Sequence, residues 1–340
     1  MIKKKLVFEN EYLSIRKKPL NLEEDDQYLF HHEFKKMIKN SYGFYISNIY
    51  IKKYKLYKFK KFVTLTKYTN MIEFSLRKKI KTFIKNIFSK NQKTNKRIIK
   101  KGLWIIDEKS FHYFHWFCDS LPRFIQAKEV NDKYPILLPK SIENIEYVKK
   151  TIDILQINYS AYGDEESVKV EDLFVSSHSA PSGNYNNKTI NLLAKSLKSN
   201  INIKQNNNFK NIWISRSKSK HRKIKNESEI LPLLKKFNFE IVFPEEMTFE
   251  EQINIYRGAN IMGGLHGGGL TNILFMNPGT KLLEVRREND NLNNCYYTLA
   301  SELGINYYYV NSKSQGDDLY VSDTIINLID LENLLIKVTS

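Results

Sequence analysis

The sequence specifies an α/β protein of two doubly wound units, preceded by a basic N-terminal extension. Two observations predict this. From Gly102 onward, short apolar runs alternate with segments amphipathic at helical period, which is the pattern of parallel sheets with helices on both faces. A polar break at Gln205–Asn208 then splits the alternation into two such halves. The chain has 340 residues, enough for two domains of ordinary size and for a large core without disulfides.

The elements follow in order. Residues 1–70 mix β-like runs, Phe44–Ile51 and Phe62–Thr66, with charged stretches and an acidic island at Glu23–Asp26. Residues 71–90 repeat at helical period, with Leu76, Ile80, Phe83, Ile84, Ile87 and Phe88 on one face and Lys on the other. Such a helix can lie on an anionic bilayer; the plainer alternative is a surface helix packed on the core. Asn91–Lys101 reads as a polar, basic linker. In the first unit, strands at Leu103–Ile106, Ile136–Leu138 and Leu173–Ser176 alternate with helices at Tyr113–Lys128, Ile145–Leu155 and Thr189–Lys198. In the second, strands at Ile212–Ser215, Glu240–Phe243, Asn260–Met262 and Lys281–Val285 alternate with helices at Ser228–Phe237 and Phe249–Arg257. Cys295–Leu303, Tyr307–Val310 and Thr324–Ile336 continue the alternation. The expected divisions are a basic region at 1–101, α/β units at 102–204 and 205–322, and a C-terminal helix at 323–340. Ligands belong at the C-terminal ends of the strands.

Composition narrows the function. Cys118 and Cys295 are the only cysteines; they lack metal-ligand spacing and suit a reducing compartment. MIKKKLVFENEYL carries too short an apolar run for a signal peptide, and no segment approaches the length of a membrane span. The net charge is +17, unevenly placed: residues 1–101 hold 27 Lys/Arg against 8 Asp/Glu, and the remainder 27 against 29. A basic first third beside a near-neutral remainder points to an anionic partner: a membrane surface, nucleic acid or an acidic glycan. Nucleic acid is the weakest of these, because the charge avoids the α/β units and no RNA-binding signature is present. Of nine arginines, Arg123, Arg216, Arg222, Arg257, Arg286 and Arg287 lie in or beside the motif regions. Arg offers a planar fork for phosphate or carboxylate that Lys cannot copy.

The richest segment is ANIMGGLHGGGLTNILFMNPGTKLLEV, residues 259–285. An apolar strand runs into Gly263, Gly264, Gly267, Gly268 and Gly269, with His266 among them; a helix, a turn at Asn277–Gly279 and a second strand follow. Glycine permits a sharp turn and close approach to a ligand, and the helix start offers unpaired N–H groups that suit a phosphate. The spacing is neither the dinucleotide fingerprint nor a P-loop.

Four segments in order resemble glycosyltransferase family 61, which includes bacterial capsule and lipopolysaccharide enzymes and eukaryotic O-GlcNAc and xylosyl transferases. FHYFHWFCDSLPRF (111–124) is similar to the family's H-W-x-x-D-x-L-P-R segment. WISRSKSKHRKIKNESEI (213–230), FPEEMTFEEQINIYRGA (243–259) and the glycine corner are similar to its later segments, with Gly268 where the family usually has Ala. The resemblance covers roughly residues 100–310. It implies the GT-B plan of two Rossmann-like domains facing across a cleft, an inverting mechanism and a UDP-sugar donor.

Glycosyl transfer needs a base for the acceptor hydroxyl, a counter-charge for the departing diphosphate, and nucleotide recognition. No Asp-x-Asp motif is present, which favours metal-free stabilisation by cations and a helix N-terminus. Arg216, Arg222, His266, Gly267, Gly268, Gly269 and Leu270 are the expected donor-binding residues. Asn272 can bond the donor or only the turn. Glu284 can bond sugar hydroxyls or pair with Arg286 or Arg287. The base is expected in the first unit. His115 and Asp119 share a helix face at i, i+4, and a carboxylate can act directly or orient a histidine. Asp119 is the first candidate and His115 the second, with His112 toward the acceptor and Arg123 bracing this helix or binding the acceptor. The reading is a cytoplasmic, metal-independent transferase without cofactor, peripheral on the membrane. It moves sugar from a nucleotide sugar to a glycan or lipid-linked glycan in bacterial capsule or lipopolysaccharide synthesis. A nucleic-acid-binding protein and a non-catalytic sugar- or nucleotide-binding homologue are the rivals.

Overall fold

The computed structural model describes residues 2–58, 61–65, 72–75, 97–200, 210–316, 318 and 321–340. Two compact units emerge: Met1–Tyr12 with Met37–Asn200, and Leu13–Lys36 with Ile201–Ser340. The N-terminal third is therefore not one appended block, because residues 13–36 fold with the C-terminal half.

The strands in chain order begin with β1 (Ile2–Glu9), β2 (Tyr12–Ile15), β3 (Lys35–Ile38), β4 (Ser41–Lys52), β5 (Lys55–Lys58), β6 (Lys61–Leu65) and β7 (Ile72–Ser75). They continue with β8 (Ile98–Trp104), β9 (Ile136–Pro139), β10 (Tyr159–Tyr162) and β11 (Val168–Ser176). The first unit is built on a nine-stranded sheet in the order β10-β9-β8-β11-β4-β5-β6-β7, with β1 against β4. β10, β9, β8 and β11 run parallel. Their order reverses between β8 and β11, the place where open α/β sheets bind ligands. The expectation of a purely parallel sheet fails beyond β11: β4 to β7 form an antiparallel meander. A two-residue turn at Lys53–Tyr54, with Lys53 at φ 50°, joins β4 to β5, and so short a connection permits only antiparallel neighbours. The expected linker at 91–101 is strand from Ile98 onward. The expected helix at 71–90 begins instead as β7, and its apolar face from Leu76 to Phe88 lies outside the described residues, as does the Gln205–Asn208 break.

The second unit adds β12 (Lys210–Ile214), β13 (Phe239–Val242), β14 (Ala259–Leu265), β15 (Lys281–Arg287), β16 (Asn306–Ser314) and β17 (Thr324–Ile326). Their order is β13-β12-β14-β15-β16-β17. The first five run parallel and β17 is an antiparallel edge. The switch lies between β12 and β14. β15 is buried along nearly its whole length, as a strand covered on both faces must be. Helix Phe249–Arg257 starts from a Thr248/Glu251 capping box. The single helix expected at Thr324–Ile336 is two elements: Ile326 ends β17, and the Asn327 side chain caps helix Leu328–Thr339 by accepting from the N–H groups of Ile329 and Asp330.

Residues 13–36 are tied in by polar and aromatic contacts. Buried Arg16 bonds Glu33 at 2.7 Å and Glu302 at 3.3 Å. Asp26, from the acidic island, accepts from the Tyr309 hydroxyl at 2.6 Å. Helix Gln27–Phe34 buries Phe30 completely against Tyr297, Tyr307 and Tyr309.

Candidate active site

Each unit places a partly exposed histidine against a buried carboxylate at its strand switch. In the first unit the pair lies on a helix that changes pitch, with α-helical turns at Tyr113–His115 and Leu121–Lys128 joined by a π-helical turn, Trp116–Ser120. The sequence explains the change. Pro122 has no N–H and its ring would press on the carbonyl four residues back. The helix widens there, and the Leu121 N–H bonds Trp116 O, five residues back. Such turns recur at functional sites. Trp116 anchors the widened turn through its indole N–H to Thr151 Oγ1 at 2.8 Å.

His115 Nδ1 lies 2.6 Å from Asp119 Oδ2. The Asp119 side chain is 4% exposed and the His115 side chain 25%, so the imidazole is the member open to a substrate. Asp119 Oδ2 also accepts from the Ser182 hydroxyl at 3.0 Å. With the Asp119 carboxylate accepting a hydrogen bond from Nδ1–H, the lone pair is left on Nε2, the nitrogen a base uses. His112 stacks on Phe111 with ring centroids 4.0 Å apart, 6.1 Å from the His115 ring. Burial, then the neighbouring His115 and Lys109, hold its imidazole below the ordinary histidine range.

Of the two expectations for Arg123, its full burial fits the brace of this helix. Its Nε donates to Ser176 O at 2.9 Å, and its Nη1 stands 3.7 Å from Asp107 Oδ2. Burial pulls its guanidinium down to about 10, against the pull of Asp107 and Asp119. Two residues not singled out from the sequence complete the cluster. His178 Nε2 is 3.2 Å from Asp107 Oδ2, and His178 Nδ1 is 3.9 Å from Asp119 Oδ1. Both lie just past strands read from the sequence, Leu103–Ile106 and Leu173–Ser176, where ligand-facing residues belong.

In the second unit the glycine corner follows β14. Gly263 packs so close to β12 that a Cβ would stand 2.7 Å from the Trp213 ring. The segment after the corner is a 3₁₀ helix, Gly268–Phe275, with no side-chain cap at its start. Arg216 leaves the end of β12 and is fixed by its own loop: Nε donates to Arg222 O at 2.8 Å, and Nη2 to Ser219 Oγ and His221 O, each at 3.0 Å. Arg222 adopts the left-handed region at φ 57°, a conformation that costs roughly 1–2 kcal/mol in a non-glycine residue and clusters at functional sites. The two guanidinium groups converge on Gly267, where an added Cβ would come within 2.8 Å of Arg216 Nη1 and 3.6 Å of Arg222 Nη2. Burial, then the like charge of Arg222, lowers the Arg216 guanidinium from its ordinary value, against the opposing pull of Glu245.

His266 Nδ1 bonds Glu284 Oε1, and Glu284 Oε2 accepts from the Tyr307 hydroxyl at 2.6 Å. Glu284 is wholly buried with both oxygens taken. It orients His266, and among the described residues it makes no direct ion pair with Arg286 or Arg287. Arg286 reaches the carboxylate through Tyr307, donating to its hydroxyl at 3.3 Å, and stacks over Phe30 at 4.6 Å. Asn272 likewise serves the turn, donating to Gly269 O at 3.0 Å. Leu270 is buried beneath the corner. A cavity of about 50 Å³ opens beside His266, lined by Arg222, Arg286, Arg287, Asp290 and Asn293. Among the described residues, no three His, Cys, Asp or Glu side chains gather as a metal site, and no helix is long and apolar enough to cross a membrane.

The sequence model of glycosyltransferase family 61 matches residues 113–283, half of the chain, and takes in both pairs but for Glu284. The chain belongs to glycosyltransferase family 61. Curated relatives of this family 61 chain are EGF domain-specific O-linked N-acetylglucosamine transferases. That of Drosophila melanogaster is 33% identical over 114 residues, 33% of this chain and 21% of the fly protein. That of Bos taurus is 32% identical over 94 residues, 26% and 18% of the two chains, and that of Gallus gallus 34% over 92, 26% and 17%. The matched stretch thus spans about a fifth of the length of these relatives.

Proposed function

We propose that this family 61 chain transfers a sugar from a UDP-sugar to a glycan hydroxyl, with inversion and without a metal. The observation that carries the donor reading is the convergence of Arg216 and Arg222 on Gly267 at the β12/β14 switch. There the diphosphate gains negative charge as the sugar departs, and fixed cations and a helix N-terminus stabilise that charge more than the ground state. His266, oriented by Glu284, faces the same corner.

The acceptor proton goes to the first unit. His115 is the base in this proposal and Asp119 its positioning carboxylate, a reversal of the order read from sequence, because the imidazole is the more exposed member and Asp119 is already engaged. We assign the GT-B plan to the two units, the first for the acceptor and the second for the donor. The acceptor is a lipid-linked surface glycan, as in bacterial capsule or lipopolysaccharide assembly, reached from the cytoplasmic face. The net charge of the first 101 residues supports docking on anionic lipid, where each Lys contributes about 1 kcal/mol within a Debye length.

The test is a panel of nucleotide sugars, UDP-N-acetylglucosamine included, scored by thermal stabilisation and by UDP release in the presence of chelator. One UDP-sugar should raise Tm and turn over with chelator present. Stabilisation by none, or turnover only with added Mn²⁺, would overturn the donor reading or its metal-free form respectively.

A further inference from the structure

The proposed reaction assigns the diphosphate to the Gly267 corner and gives the cavity beside His266 no task. Three strand ends meet at that cavity: Arg222 lies in the loop after β12, His266 just beyond β14, and Arg287 closes β15. Ligands of open α/β sheets belong at such ends. Arg286 also lines the cavity but is answered within the protein, by the Tyr307 hydroxyl at 3.3 Å, the Asp290 carbonyl at 2.6 Å and, behind Tyr307, the Glu284 carboxylate. Asp290, the acidic residue of the lining, is engaged in its own turn. Its Oδ1 accepts from the N–H groups of Leu292 and Asn293, and its Oδ2 from Asn293 Nδ2 at 2.8 Å.

Arg287 differs. It is 9% exposed, and its Nη2 donates to two carbonyls, Asp318 O at 3.2 Å and Ser322 O at 2.9 Å. Those bonds hold the guanidinium in place. Its buried Nη1 has no hydrogen-bond partner among the described residues. The partly buried Arg222 side chain likewise makes neither a hydrogen bond nor an ion pair with any described residue. Its backbone is pinned: the Arg222 N–H donates to Val321 O at 3.3 Å, and the Lys223 N–H to Asp323 Oδ1 at 2.8 Å. A buried donor without an acceptor is costly, and a held guanidinium matches the planar fork of a carboxylate. Size agrees. The cavity measures about 50 Å³, room for about four water-sized groups at roughly 10–15 Å³ each. A carboxylate with its carbon fits; a sugar ring or a nucleobase does not.

We infer that this cavity is a carboxylate subsite for the donor sugar, so that the donor is a nucleotide-linked uronic acid read by Arg287 and Arg222. Every residue of the cavity belongs to the second unit, which is why the carboxylate is placed on the donor and not on the acceptor. The inference rests on the donor reading of that unit.

Calorimetry of the intact chain tests the two separately. UDP, UDP-glucuronate and UDP-galacturonate are titrated beside the neutral twins UDP-glucose and UDP-galactose. At least one uronate should bind roughly ten- to a hundredfold tighter than its twin, the range for a charge-assisted contact. In Arg287→Gln that preference should vanish, with the Kd for UDP unchanged. Arg287→Lys keeps the charge but not the fork; it should keep part of the preference, and it replaces the Gln variant should that one not fold. Neutral twins that bind as tightly as the uronates overturn the inference and leave the donor reading standing. An Arg287→Gln chain that loses as much affinity for UDP as for the uronate also overturns it, because the cavity then serves the diphosphate. A wild-type chain that binds neither UDP nor any of the four UDP-sugars sinks the donor reading, and the inference with it.

Discussion

The two units hold the same device in opposite surroundings. In the first, His115 Nδ1 bonds Asp119; in the second, His266 Nδ1 bonds Glu284. The histidines are almost equally exposed, 25% and 24%, and the carboxylates almost equally closed. Both pairs stand at a point of strand-order reversal. The neighbours differ. Around Asp119 lie a second carboxylate, Asp107, the hydroxyl of Ser182 and one guanidinium, that of Arg123. Around the cavity beside His266 lie three guanidinium groups, Arg222, Arg286 and Arg287, with Asp290. Surroundings richer in cations suit an anionic ligand. The neighbours, not the pair, separate the two sites.

The sharpest way to break this comparison is to remove each carboxylate's charge. Asp119→Asn should lower kcat by roughly 10²–10⁴, the range for losing a positioned base, with the Kd for UDP unchanged. Glu284→Gln should do the reverse, weakening UDP binding with a smaller effect on the chemical step. Equal losses of kcat in the two variants, measured by single-turnover kinetics, would show that the surroundings do not separate the pairs. Arg216→Ala comes next. It removes a charge-assisted contact worth about 1.5–3 kcal/mol, so the Kd for UDP should rise roughly ten- to a hundredfold, and calorimetry reads it directly. Arg222→Lys should recover part of the charge but not the fork.

A third test asks whether the second pair depends on residues far away in sequence. Tyr307→Phe deletes the hydroxyl that bonds Glu284 at 2.6 Å and receives Arg286 at 3.3 Å. Leaving buried polar groups unpaired costs about 1–3 kcal/mol, which should appear as a lowered urea midpoint with the m-value unchanged. No loss of stability would mean that water or a rotated Arg286 replaces the bond.

How much of this was legible beforehand differs between the pairs. His115 and Asp119 sit at i, i+4 on one helix, a spacing that sequence displays. Asp107 and His178 were equally readable, one and two residues past predicted strand ends, but only a rule about strand ends, not helical period, finds them. The βα alternation gave the parallel strands of both sheets except β10, because an apolar run between amphipathic helices has one common use. It missed β10 and helix Gln27–Phe34, which are short and mixed in composition. Glu284 was expected to end its strand but lies in the middle of β15, where it meets His266 and Tyr307, since alternation fixes burial but neither the strand's end nor which polar group arrives from across the fold. Phe30 under Arg286, separated by 256 positions in the chain, leaves no mark in local pattern at all.

The smallest effect concerns a buried carboxylate with no histidine. Glu227 is closed from solvent and accepts from Ser215 Oγ at 3.0 Å beside the end of β12. Burial pushes its carboxyl above the ordinary range, more than the hydrogen bonds from Ser215 and the Arg216 backbone pull it down. A carboxyl whose folded pKa is raised contributes stability below its unfolded pKa and loses that contribution as pH rises through the folded one. At neutral pH the chain therefore carries a cost for holding Glu227 ionised. Glu227→Gln keeps the shape and an acceptor but sheds the charge, so its Tm should exceed the wild-type value at pH 7 to 8. The gap should close as pH falls toward 4, where the wild-type group is itself neutral. Asp119→Asn and Glu284→Gln should show no such gain, because each of those charges has a histidine to answer it. If Glu227→Gln is the less stable protein at pH 8, the carboxylate is paired better than its neighbours indicate, and buried charge in this unit does not need a histidine to be held.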